Sequence, residues 1–228
     1  RERGLFEAEP GKRENNLCEE TDEGDDHEPA ARPGPEVEPP GFLIAKIQQI
    51  LGYCLFGHNQ ARVMFFFHGT GRNGKSTLVN IMTRFFGSYA SPLPQKVVTG
   101  NNPNELGDAL KAVQGFRILT FAEMGPDTKL AVPKLKAITG GDDQLVRNPH
   151  RQDWTTVKLG GKILFTSNSL PFAEDASHAL WDRLRIVPFD LRVPKSQIDL
   201  RIEDDIAEEF PGVLNWLLVG VKSLVANH

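Results

Sequence analysis

Cysteine is nearly absent: Cys18 and Cys54 are the only two in 228 residues, and their surroundings differ completely. Two such residues make no disulfide framework, and a reducing, cytoplasmic setting is the expectation. Long apolar runs are missing as well. No stretch approaches the roughly 18 residues that a membrane helix needs, and no signal-peptide pattern opens the chain. No membrane is therefore expected as a partner, and there is no internal repeat. What is present is 39% hydrophobic residues, enough to build the core of one sizeable domain with an extension.

Basic residues are scarce at one end only. Residues 1–40 hold 13 Asp and Glu against 5 Lys and Arg, which leaves 17 against 21 in residues 41–228. The acidic end, EAEPGKRENNLCEETDEGDDHEPAARPGPEVEPPG over residues 7–41, has almost no large apolar side chains. It cannot bury enough surface to offset its ordering entropy, so 1–41 is read as an acidic, Pro-rich flexible segment. Its EETDEGDDHE run matches no calcium-loop spacing and reads as a solvated acidic run. The domain is expected over 42–228, and its mildly basic balance permits nucleic acid as a partner.

Within that domain, texture alternates. FLIAKIQQILGYCLFG carries apolar residues at helical spacing, and RVMFFFHG is a short, continuously apolar run that suits a strand buried on both faces. GKSTLVNIMTRFFG reads as a helix closed by Gly87, NPNELGDALKAV as a capped helix, and FRILTFAEM as a second buried strand. PKLKAITGG is a short helix, and DDQLVRNPHRQDWTTVKL suggests a β-hairpin with a polar tip. GKILFTSN and LRIVPFDL supply a third and a fourth buried strand. The tail from Ile198 reads as two helices separated by Pro211. Strands alternating with helices predict an α/β fold, a largely parallel central sheet flanked by helices.

The sharpest motif is HGTGRNGKSTLVN, His68 to Asn80, where Gly69-x4-Gly74-Lys75-Ser76 fits the P-loop pattern between a predicted strand and a predicted helix. Glycines let backbone N–H groups converge on phosphates, and the helix N-terminus adds its positive end. Nucleotide binding is assigned to Gly69, Thr70, Gly71, Arg72, Asn73, Gly74, Lys75, Ser76 and Thr77, with Lys75 reaching the β/γ-phosphates and Ser76 ligating Mg²⁺. Asn73 could also serve only to tighten the turn. Such a site needs a carboxylate on a neighbouring strand, and Glu123 ends FRILTFAE; Ala122 before it means that the usual acidic pair is missing. Asn168, ending GKILFTSN, could sense the γ-phosphate or orient water. Arg183 and Arg185 in ALWDRLRIVPF are candidates for an arginine finger from a neighbouring subunit. Each also has a plainer reading: a carboxylate opening a solvated turn, an Asn opening a turn before Pro171, arginines paired with Asp182 or Asp190.

Taken in order, LGYCLFG, GTGRNGKST, FAE, ITGGD, FTSNSLP and LWDRLRIVPF make the chain resemble the superfamily 3 helicases, and within them the helicase portion of phage and plasmid primase-helicases, related to poxvirus and other large-DNA-virus replication proteins. The resemblance covers roughly residues 43–228. It implies an AAA+-like P-loop NTPase fold, a homo-hexameric ring around single-stranded DNA, ATP and Mg²⁺ as cofactors between subunits, and catalytic roles for Lys75, Glu123, Asn168 and Arg183, with Arg185 the second choice of finger and Ser76 and Glu123 the Mg²⁺ ligands. It also implies a DNA-contacting segment between Glu123 and Asn168, where Arg147, His150, Arg151, Trp154 and Lys158 interleave cations with an aromatic. A primase portion or partner is expected outside this chain, which reads as a core segment truncated at both ends, acting in the cytoplasm of a bacterial or phage-infected cell. Two other readings share the loop: a nucleotide-binding prophage fragment without hydrolysis, and a P-loop small-molecule phosphotransferase.

Overall fold

The structure, a computed structural model, describes residues 40–99, 103–122, 128–147, 153–169 and 178–226. Helix α1 (Pro40–Tyr53) precedes strand β1 (Met64–His68), and helix α2 (Lys75–Phe86) follows the glycine-rich loop. Then come a single 3-10 turn at Gly87–Tyr89, strand β2 (Ala90–Pro92), helices α3 (Gln95–Thr99) and α4 (Pro103–Ala112), strand β3 (Ile118–Ala122) and helix α5 (Val132–Gly140). Strands β4 (Gln144–Arg147) and β5 (Trp154–Val157) lead into β6 (Lys162–Ser167), helix α6 (His178–Trp181) and β7 (Leu184–Pro188). Helices α7 (Ile202–Glu208) and α8 (Phe210–Ala226) complete the described elements.

Five strands form one sheet in the order β2-β3-β6-β1-β7, and every neighbouring pair is parallel. This is the expected α/β, P-loop-like fold. The two middle strands explain it: MFFFH and KILFTS are buried almost throughout, and only a strand covered on both faces tolerates such a run. Alternate residues feed opposite layers. Met64 and Phe66 join Leu119, Ile163 and Phe165 on one face, while Phe65 and Phe67 join Ile118, Leu164, Val187 and the apolar side of α2 on the other. Each fully buried side chain of this kind contributes about 1.5–3 kcal/mol.

Helices α1 and α8 cross at two glycines. A Cβ on Gly220 would lie 2.2 Å from the carbonyl oxygen of Gln48, and one on Gly52 would lie 2.6 Å from that of Leu217. Gln48 Nε2 donates to Trp216 O at 2.8 Å, and Gln49 Nε2 to Ser223 Oγ at 2.8 Å. Beyond the end of α1, whose last carbonyls accept from Cys54, Leu55 and Phe56 N, Lys162 donates to the Phe56 carbonyl and Arg117 to that of Leu55, so two cations hold the turn that follows the helix. The LGYCLFG motif thus seals the end of the sheet opposite the glycine-rich loop.

Several expectations need correction. LRIVPFDL is not a fourth strand buried on both faces: β7 is an edge strand, with Arg185 and Ile186 exposed. Pro211 does not separate the last two helices but lies in the first turn of α8, where a missing N–H costs nothing; the break falls at Glu209. Strand β2, with three residues that include Ser91 and Pro92, and helix α3 had no counterpart in the sequence reading. Among the described residues, no single helix is long and apolar enough to cross a membrane.

Candidate functional site

Strand β1 ends at His68, and the chain turns sharply through Gly71 (φ 97°), Arg72 (φ 51°) and Gly74 (φ 83°) before α2 begins at Lys75. Arg72 in the left-handed region is a strained residue of the kind that ligand-holding loops retain. Gly74 caps α2 without a side-chain hydrogen bond, so backbone N–H groups of the first turn are left for an anion. Gly69 cannot be replaced: a Cβ there would lie 2.2 Å from Phe189 O and 2.3 Å from Asn73 Nδ2.

Lys75 is the centre of the site. Its Nζ donates to Gly69 O at 2.6 Å, Asn73 Oδ1 at 2.9 Å and Asn168 Oδ1 at 3.3 Å, so all three protons have acceptors. The side chain is only 5% exposed, and burial holds its pKa below the ordinary lysine value. Those three acceptors are neutral, so an anionic ligand would supply the charge compensation that they lack. Ser76 and Thr77 follow in the first turn of α2, Ser76 exposed and Thr77 half-buried. Triphosphate fits this set of donors, and the Ser76 hydroxyl is accessible to a cation bound beside it.

Asn168 sits on the residue after β6, beside the loop, because β6 and β1 run parallel with Ser167 opposite His68. Asn73 donates through Nδ2 to Phe189 O at 2.7 Å, tying the loop to the segment after β7. Phe189 N donates to His68 O at 2.7 Å and Val193 N to Arg72 O at 2.8 Å, so residues 189–193 form a strap along the loop. Sequence reasoning missed this strap, since Phe189 lies 116 positions from Asn73 and no local pattern links them.

The arginines are elsewhere. The carbonyl of Arg183 accepts from Met64 N at 2.8 Å, at the start of β1, so Arg183 stands about 13 Å along the strand from the loop. Arg185, on exposed β7, donates to Asp182 O at 2.7 Å. Neither belongs to the pocket around this chain's own Lys75. Glu123 lies outside the described residues; β3, which precedes it, pairs Ala122 with Thr166 of β6. Among the described residues no group of three or more His, Cys, Asp and Glu could hold a metal.

Strands β4 and β5 form the anticipated hairpin, antiparallel, with Arg147 opposite Trp154 and Val146 opposite Thr155. One face is packed: Val146 and Val157 join the core. The other carries Leu145 at 64% and Trp154 at 59% exposure, together with exposed Arg147 and Thr156. Lys158 is exposed just beyond β5, while His150 and Arg151 lie outside the described residues.

Comparison with known proteins matches these features to a family. Putative helicase 184R of Invertebrate iridescent virus 6 is 28% identical over 154 residues, 65% of this chain and 16% of that protein. Putative helicase 121R of Invertebrate iridescent virus 3 is 31% identical over 190 residues, 72% of this chain and 20% of the relative. Putative helicase 022R of Frog virus 3 (isolate Goorha) is 31% identical over 140 residues, 59% and 14% of the two chains. The chain therefore spans a fifth or less of the length of these relatives. Among solved structures, the A form apo C-terminal region of NrS-1 superposes with a TM-score of 0.51 at 15% identity, covering 82% of this chain and 48% of that one, a likeness of fold. The model of the family of unknown function DUF5906 matches residues 67–183, about half of the chain, and the chain belongs to that family.

Proposed function

We propose that this chain is the ATPase core of a superfamily 3-type DNA helicase, hydrolysing ATP at subunit interfaces of a homo-oligomeric, hexameric ring to move along single-stranded DNA. The observation that carries this reading is the Lys75–Asn168 contact, which joins the glycine-rich loop to the end of β6 in one site. The viral relatives named putative helicases support the choice of activity over phosphotransfer to a small molecule. Arg183 stands at the start of β1, away from this chain's own loop, so in this reading it serves a neighbour's nucleotide.

In this reading the loop amides and Lys75 bind and orient the triphosphate, Asn168 holds the polar group nearest the γ-position, and Ser76 with Glu123 would hold Mg²⁺. ATP and Mg²⁺, when bound, supply the transferable phosphoryl group and the shielding of its charge. Glu123 takes a proton from water, and Arg183 of one subunit neutralises charge in the site of the next. The hairpin's outward face meets DNA: Arg147 and Lys158 follow phosphates, His150 and Arg151 add cations to the same contact, and Trp154 stacks on a base. A primase portion belongs to a longer protein or a partner.

The test is ATP turnover with and without single-stranded DNA, for wild type and Lys75→Ala, beside light scattering on a sizing column. DNA-stimulated turnover by an oligomer, lost in Lys75→Ala, is the expected result. Turnover indifferent to DNA from a stable monomer sinks the helicase reading, and wild type indistinguishable from Lys75→Ala sinks hydrolysis itself.

A further inference from the structure

We propose that Asn73 is a positioning residue for Lys75, its side-chain amide fixed on the Phe189 carbonyl so that the opposite end of the amide sets where the ammonium stands. The inference rests on the hydrolysis reading above for its consequence, though not for its geometry. Lys75 has only protons to give, and the Phe189 carbonyl has only lone pairs, so one orientation of the amide satisfies both. In that orientation Nδ2 reaches Phe189 O at 2.7 Å and Oδ1 receives Lys75 Nζ at 2.9 Å.

The anchor is itself held. Phe189 is bonded back to His68 O, and Val193 to Arg72 O, so the carbonyl that orients Asn73 is fixed on both sides. Gly69 completes the arrangement, since the space that a Cβ would fill there is taken by Phe189 O and Asn73 Nδ2.

The lysine needs such a guide. Its side chain has four rotatable bonds, so holding the ammonium in one place costs conformational entropy that fixed acceptors must offset. Of its three acceptors, Gly69 O lies in the same loop and Asn168 Oδ1 is the most distant at 3.3 Å. Asn73 links the ammonium to the strap after β7. Removing it leaves the loop amides in place to bind phosphate while the ammonium wanders, which costs rate more than affinity.

Two measurements decide this. In the nucleotide-free protein carrying ¹³C at lysine Cε, with the Lys75 signal identified by its loss in Lys75→Arg, relaxation reports how rigid each lysine is. In Asn73→Ala the order parameter of Lys75 is expected to drop to below about 0.6, while that of buried Lys162, on β6, stays at its wild-type value. An unchanged Lys75, or a parallel drop in Lys162 that marks a loosened fold, overturns the proposal. In steady-state turnover, Asn73→Ala is expected to lower kcat about tenfold or more with KM for ATP changed less than about threefold. An unchanged kcat, or a loss matched in KM and in Tm, also overturns it. Asn73→Ser serves both measurements if the alanine variant does not fold. If wild type hydrolyses no ATP, the motor reading fails while the relaxation result still decides the placement of Lys75.

Discussion

Lys75 Nζ and Asn168 Oδ1 stand 3.3 Å apart although 93 positions separate them in the chain. The parallel pairing of β1 with β6 produces this contact, because it brings the C-terminal ends of both strands to the same edge of the sheet. Ligand sites of open α/β sheets lie at that edge. The contact makes Asn168 a member of the Lys75 site and gives its removal a defined consequence. Asn168→Ala should lower ATP turnover by about 100–1,000-fold, as expected for loss of one preorganised polar group, and Lys75→Ala by about 100-fold or more. Thermal denaturation of Asn168→Ala should match wild type, since the side chain is exposed. Loss of turnover together with a large fall in Tm would remove Asn168 from the chemistry.

The outward face of the hairpin gives separate predictions for its two kinds of contact. Trp154→Ala should weaken single-stranded DNA binding by about 1–3 kcal/mol, the usual contribution of one stacked base. Arg147→Ala should weaken binding more evenly across sequences and reduce the slope of log affinity against log salt by about one. Fluorescence anisotropy over a salt series measures both. Affinities equal to wild type for both variants would move the DNA path off this face, on which Arg147 and Trp154 are direct cross-strand partners.

How much of this was legible in the sequence depends on whether the cause is local. The loop, helix α2 and the Gly87 stop are written in adjacent residues, and the apolar runs of β1 and β6 require burial on both faces wherever they fold. Strand β2 left no trace, because three residues held at the sheet's edge by pairing with β3 need no apolar pattern of their own. LRIVPFDL misled for a related reason. Its side chains read as fully buried, but nothing packs outside β7 in the sheet order, so edge position overrode composition. The strap and its bonds to Asn73 and Arg72 could not be read at all, since they join residues that only the fold makes neighbours.

The helix crossing at α1 and α8 predicts a stability effect without a functional one. Gly220→Val puts a side chain where the Gln48 carbonyl oxygen lies 2.2 Å from the Cβ position, so the helices must separate. Overpacking of this kind costs about 1–3 kcal/mol, which is large beside the net stability of a domain. Chemical denaturation should register the loss. A midpoint equal to wild type would mean that the α1–α8 contact is dispensable.

Stability against pH follows from the buried pair under the sheet. Burial pushes Lys162 from its usual 10.5 down to about 8, and pushes the Cys54 thiol from 9.0 up to about 12. Between about pH 8 and 9 the native state gives up the Lys162 proton while the unfolded chain keeps it, so stability should rise by about 1.4 kcal/mol per pH unit at most. Above 9 the native state keeps the Cys54 proton that the unfolded chain loses, which opposes the rise until 10.5, and stability falls beyond it. Lys162→Met should abolish the rise from pH 8 to 9, and Cys54→Ala should extend it toward 10.5. Urea denaturation at successive pH values checks both, and identical profiles for wild type and Lys162→Met would refute the assignment.

The separation of Arg183 from Lys75 makes the last prediction one about subunits. Arg183 lies beside Met64 at the start of β1, whereas the loop follows His68 at its end. If Arg183 serves a neighbour's nucleotide, Arg183→Ala and Lys75→Ala damage different halves of the same interface. Each variant alone should lose turnover by about 1,000-fold or more for the finger and about 100-fold or more for the lysine. An equal mixture, dissociated and reassembled, puts an intact Lys75 against an intact Arg183 at about one interface in four, and turnover should return toward about a quarter of wild type. The same mixing with Arg185→Ala tells which arginine crosses the interface. A mixture no more active than its components would remove Arg183 from the neighbour's site, since its place at the start of β1 already keeps it out of its own.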